Sequence, residues 1–175
     1  FQERLSGMMW PIVGTAVLLI GGFLVWKFTY KSAEDLYNEA KALEGKQDAR
    51  MSIFGIDAAN RDASGTSNLS GETQRRLEQQ IGLYTKALGK EERYVPARYE
   101  MARCMLQLNR KDDALKEFEK VLTYDPGHKE AMLGAGSLHL ASGNNDAKAE
   151  AYLKKAAEAG VTEAWLNLAI LFQDR

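Results

Sequence analysis

The chain is poor in the residues that build covalent and catalytic sites. Among its 175 residues stand one cysteine, Cys104, two histidines and three prolines. A single cysteine excludes an internal disulfide, so thiol usage does not reveal the compartment. His128 follows Pro126-Gly127 and His139 falls in a helical stretch, neither with a Cys or carboxylate at metal-ligand spacing. No P-loop, GxGxxG or GxSxG occurs. Cys104 precedes the apolar Met105 and reads as a small core residue rather than a nucleophile. An excess of one charge is missing too: 23 Lys and Arg meet 24 Asp and Glu, interleaved through the second half. Nucleic-acid binders carry a basic patch or stripe. The expectation is therefore no enzyme, no cofactor, no metal, no small-molecule substrate and no nucleic acid.

Against this background one segment stands out, "GMMWPIVGTAVLLIGGFLVWKF" over residues 7 to 28. From Met8 to Trp26 no side chain is charged, and as a helix this run spans about the ~30 Å of a bilayer's hydrocarbon core. A secretory signal has a shorter apolar region and a small-residue cleavage site, and none follows Trp26. A buried helix of a soluble domain carries a polar stripe, and here only Thr15 is polar. Trp10, Trp26 and Tyr30 sit where interfacial aromatics belong, and Lys27 and Lys31 can snorkel. The segment reads as a transmembrane helix, with residues 1–31 its anchor and flanks. Gly14 and Gly21 share one helix face and Gly22 extends the notch, a candidate transmembrane contact face. The positive-inside rule is nearly silent: Lys27 and Lys31 against Arg4 favour a cytoplasmic C-terminal side.

Residues 32–45, "SAEDLYNEAKALEG", read as a membrane-proximal helix, with Ala33, Leu36, Tyr37, Ala40 and Leu43 at three-to-four spacing and Gly45 as a stop. Residues 46–71 are rich in Gly, Ser, Asn and Asp and read as a flexible loop, with Ser70 or Thr73 starting the next helix. Its one apolar cluster, "MSIFGI", docks either on its own domain or on a partner.

The remainder, 72–175, is self-similar. Its repeats fit the pattern W-x2-L-G-x2-Y…A-x3-F…P with a period near 34. Met101, Ala102 and Met105 fill the first-helix slots, and Ala114, Phe118 and Pro126 follow. Met132, Ala135 and Gly136 open the next repeat, with Ser142-Gly143-Asn144-Asn145 as its turn and Ala149, Leu153 and Ala156 behind. Trp165, Leu168, Ala169 and Phe172 then match again. Small residues let the helices of a hairpin approach, Phe118 fills space between hairpins, and Pro126 ends a second helix. Arg98 departs from the pattern, because its slot is normally the apolar Trp. Tyr84 and Ala87, one period back, fit a degenerate repeat whose first helix is the membrane-proximal one.

On these residues the chain resembles the tetratricopeptide repeats, and the link "YLKKAAEAGVTEAW" is similar to Sel1-like repeats. The resemblance implies an all-α fold, an N-terminal transmembrane helix followed by a short α-solenoid, with a concave groove lined by the first helices. Mapped residue by residue, the groove is Tyr99, Arg103, Leu106, Gln107, Leu133, Ser137, Leu140, Leu166 and Ile170, apolar with one positive charge. The Lys and Asn residues that grip a terminal carboxylate in chaperone-binding members are absent. The layout looks like anchored repeat proteins such as YfgM-type ancillary subunits of the translocon, which implies an extracytoplasmic (periplasmic) domain. The expected function is a membrane-anchored scaffold, an accessory subunit whose partners are other protein subunits, met through the transmembrane helix and the groove. A periplasmic chaperone or assembly factor, for exported proteins or cytochrome maturation, and a purely structural subunit of a respiratory or photosynthetic complex are the alternatives.

Overall fold

The computed structural model of the protein describes Gly22 and residues 30–44, 69–143 and 146–173. The expected anchor, Gly14, Gly21, Gly45 and the "MSIFGI" cluster lie outside the described residues. Gly22 is helical and exposed, with open space where a Cβ would stand. Among the described residues no helix is long and apolar enough to cross a membrane.

Among the described residues seven helices follow Gly22: α1 (Ala33–Ala42), α2 (Gly71–Lys90), α3 (Val95–Gln107), α4 (Lys111–Tyr124), α5 (Lys129–Ser142), α6 (Asp146–Glu158) and α7 (Thr162–Gln173). No strand occurs among the described residues. Local chemistry sets their ends. Ser32 and Asp35 form a reciprocal capping box at α1, and Ser70 Oγ accepts from the Thr73 amide at α2. His128 caps α5 through its ring nitrogen, Nδ1 accepting from the Ala131 amide at 3.3 Å. Pro96 occupies the first turn of α3, where its missing N–H leaves no carbonyl unpaired.

Each helix packs on its chain neighbours, and α5 also meets α7. The hairpins are α1–α2, α3–α4 and α5–α6, with α7 laid on the last. Asn109 and Gly143, one period apart and each just past the end of a first helix, share one backbone feature, with φ of 59° and 63°. Asn and Gly are the residues that enter this left-handed region at least cost. Asn109 also lets the Arg110 amide reach back to the Met105 carbonyl at 2.9 Å, closing the end of α3. Gly160, at φ 89°, does the same for Val161 and Ala156 at 3.0 Å at the end of α6.

The core follows the repeat slots. One apolar cluster runs from Ala33 to Leu138 through the first two hairpins, and a second joins Met132, Leu133, Leu153, Ala156 and Leu168. Phe118 of α4 is fully buried against Gly134 of α5, so it does bridge adjacent hairpins. Gly136 faces Leu153 of α6, and a Cβ there would stand 2.8 Å from Leu153 Cγ. In the first hairpin the small slot before Tyr84 holds Gln80 instead. Its Nε2 donates to the Ala40 carbonyl at 3.0 Å, which removes the cost of burying an amide.

Candidate interaction groove

The first helices of the hairpins, α1, α3 and α5, together with α7, form one row through direct side-chain contacts. Lys41 Nζ reaches Glu100 Oε1 at 3.3 Å between α1 and α3. The Tyr99 ring lies 4.7 Å from the His128 ring between α3 and the start of α5. Asn167 Nδ2 donates to Ser137 Oγ at 2.6 Å between α7 and α5.

The two ends of this row differ in chemistry. At the α1–α3 end, Glu44, Lys41, Glu100 and Arg103 form an alternating chain of charges, with Glu44–Lys41 at 2.5 Å and Glu100–Arg103 at 2.7 Å. Burial works against the Lys41 ammonium, but the Glu44 and Glu100 carboxylates outweigh it, and its pKa lies above the ordinary value. Arg103 follows the same logic, with Glu100 overcoming desolvation. Gln80, Tyr84, Cys104 and Gln107 line the crevice beside this chain. Cys104 Sγ lies 3.7 Å from Gln80 Oε1, and burial pushes the thiol up to about 12. The Tyr99 hydroxyl is likewise raised by burial. At the α5–α7 end the surface is apolar, with Leu140 half-buried and Leu166 and Ile170 exposed.

The nine residues mapped from sequence therefore divide. Tyr99, Arg103, Gln107, Ser137 and Leu140 are half-buried along the row, and Leu166 and Ile170 are exposed on α7. Leu106 and Leu133 are core residues, Leu133 only 3% exposed, because each points between helices rather than along the row. The expectation of a single positive charge also needs correction. Arg103 is paired with Glu100, and Lys41 of α1 with Glu44 just past its end adds a second ion pair, in the degenerate first hairpin where the repeat pattern is weakest. Arg98, the departure at the Trp slot, is 5% exposed; its Nη1 pairs with Glu117 at 2.6 Å and its Nη2 donates to the Glu92 carbonyl at 2.7 Å.

On the opposite side, His139 is buried, stacked on Tyr152 at 6.0 Å, with Nε2 3.4 Å from Glu119 Oε1. Among the described residues no three His, Cys, Asp or Glu side chains gather to hold a metal.

Comparison with known proteins agrees with this architecture. No curated protein matches the sequence. Among solved structures, a tetratricopeptide repeat protein from Parabacteroides merdae is similar at a TM-score of 0.52 and 25% identity over 79% of this chain. The match covers 58% of that protein, so this chain spans less than two thirds of its length. Residues 112–169 match the tetratricopeptide repeat family, and the helical hairpins with their recurring slots are similar to the repeats of that family.

Proposed function

We propose that this protein is a membrane-anchored scaffold, an accessory subunit of a larger membrane protein complex, whose first-helix row takes an apolar or amphipathic segment of a partner subunit. The observation that carries this reading is the uneven row itself. The charges at the α1–α3 end satisfy one another, whereas Ile170 and Leu166 at the α7 end stand exposed beside Leu140. Covering apolar surface gains about 25 cal/mol per Å², and an amphipathic helix laid in a groove is the recurring way to supply that cover. A terminal carboxylate is a poor match, since Arg103 already holds Glu100. Support for the anchor is in the sequence, in the uncharged run from Met8 to Trp26 with its aromatic and lysine flanks. An extracytoplasmic repeat domain fits the layout of YfgM-type proteins.

The test is purification of the full chain in mild detergent, identification of stoichiometric partners, and titration with a labelled partner peptide. Ile170→Asp is expected to weaken binding at least about tenfold, about 1.4 kcal/mol, with helicity unchanged. Unchanged affinity would remove the row as the binding surface, and a partner retained at full stoichiometry by a chain lacking residues 8–26 would remove the anchor from the reading. A reporter fused after Arg175 that is active only in the cytoplasm would overturn the extracytoplasmic placement.

A further inference from the structure

The crevice at the α1–α3 end of the row holds polar groups of two kinds. Most are engaged. Gln80 donates to the Ala40 carbonyl and accepts from Cys104, and Glu44 and Glu100 hold Lys41 and Arg103. The Tyr84 hydroxyl and the Gln107 amide also line the crevice, and neither has a hydrogen-bond partner among the described residues. Tyr84 is only 1% exposed, so its hydroxyl can be satisfied only from within the crevice. Desolvation raises that hydroxyl above its ordinary value, so it stays protonated and able to donate. A donor buried in this way is costly until something accepts from it.

We infer that the crevice takes one uncharged acceptor oxygen from a side chain of the partner segment, a Ser or Thr hydroxyl or an Asn or Gln carboxamide. The inference rests on the groove reading and adds to it a polar residue at a fixed offset from the partner's apolar ones. Three observations choose this occupant. The crevice encloses about 10 Å³, room for one water-sized group, so only the tip of a side chain enters. Its charges balance, with Glu44 and Glu100 set against Lys41 and Arg103. An ion entering there would lose its hydration without meeting a net opposite charge. The groups still open are mainly donors: the Tyr84 O–H, the Gln107 amide N–H groups, and those of Arg103 beyond the one given to Glu100. They call for an acceptor. The crevice lies at the opposite end of the row from Leu166 and Ile170, so the polar and apolar contacts fall on different parts of the segment.

The test pans the full chain in mild detergent against a displayed library of random short segments. Selected segments are expected to carry Ser, Thr, Asn or Gln at a fixed offset from apolar residues. Replacing that residue by Ala in the tightest segment is expected to weaken binding about fivefold, the worth of one net hydrogen bond. In the Tyr84→Phe chain the same replacement is expected to make no difference, with helicity unchanged. Gln107→Leu, at a half-buried position, carries the same expectation and serves where Tyr84→Phe loses helicity. Segments that are purely apolar, or that carry a charged residue at that offset, overturn the inference, while their weakening by Ile170→Asp keeps the groove reading. A library that yields no segment, or only segments indifferent to Ile170→Asp, removes the groove reading and this inference with it. A preference that emerges only after residues 46–68 are deleted gives the crevice to the chain's own segment, which also overturns the inference.

Discussion

Arg98 and Glu117 form a nearly buried ion pair between the two helices of one hairpin, Nη1 to Oε2 at 2.6 Å, in the slot where the repeat pattern places tryptophan. The guanidinium also lies over the Tyr124 ring at 5.4 Å, so it keeps part of the aromatic packing that a tryptophan would supply. A planar, weakly hydrated cation with a long apolar stem suits this place better than lysine does.

Removing one partner of this pair leaves a desolvated charge. Glu117→Ala is expected to destabilise the repeat domain by about 3 kcal/mol, in the range for breaking a buried pair. The double replacement Arg98→Met, Glu117→Leu is expected to recover most of that loss, because neither charge then remains to be buried. Urea unfolding followed by circular dichroism checks both. A double variant no more stable than Glu117→Ala would show that the pair itself, rather than satisfaction of its charges, holds the hairpin.

The close approaches at α5 make two glycines indispensable. A Cβ at Gly136 would meet Leu153 Cγ at 2.8 Å, and one at Gly134 would meet the Phe118 ring at 2.8 Å. Gly136→Ala and Gly134→Ala are each expected to cost about 1–3 kcal/mol as overpacking, despite the better helix propensity of alanine. Phe118→Leu should partly rescue Gly134→Ala and leave Gly136→Ala unrescued. A thermal-denaturation cycle measures this coupling, and simple additivity at Gly134 and Phe118 would refute the contact.

Cys104 gives the domain a pH dependence of known sign. Its thiol titrates near 9.0 ordinarily and is pushed up to about 12 in the fold. Below pH 9 both states hold the proton and stability is unaffected. Between 9 and 12 only the unfolded chain loses it, so stability falls by up to about 1.4 kcal/mol per pH unit. Cys104→Ala should flatten that decline, although the hydroxyls of buried Tyr84 and half-buried Tyr99, also raised by desolvation, preserve part of it. Native Cys104 should react with thiol reagents only after denaturant is added. Rapid labelling of the folded protein at pH 8 would contradict its burial.

Much of the architecture is legible in the residues alone. The three-to-four spacing of apolar positions sets the helices, Ser70, one of the two starts that the residues offer for α2, is the one that caps it, and recurrence of the slots sets the hairpins. Burial of Ala102, Ala114, Phe118, Ala149 and Leu153 follows, since a small residue opposite a large one is the only way two helices close without a void. The turn at Asn109 and Gly143 follows too, from the backbone freedom of those two residue types.

What tertiary structure alone decided is which residues of the first-helix row remain available. Periodicity gives the side of a helix on which a residue sits, but not what the neighbouring helix covers. Leu133 and Leu166 hold equivalent places one repeat apart; the first is core because α6 and α7 pack around it, and the second is exposed on the outer side of α7. Likewise Arg98 reads as an anomaly until α4 brings Glu117 against it, and Arg103 reads as a free cation until α3 sets Glu100 beside it and α1 brings Lys41 to the same carboxylate. The sequence by itself determined the helices and their order of packing, because those rest on local spacing and residue size. The charges and apolar surface left for a partner depend on contacts between residues far apart in the chain, and only the assembled stack brings those together.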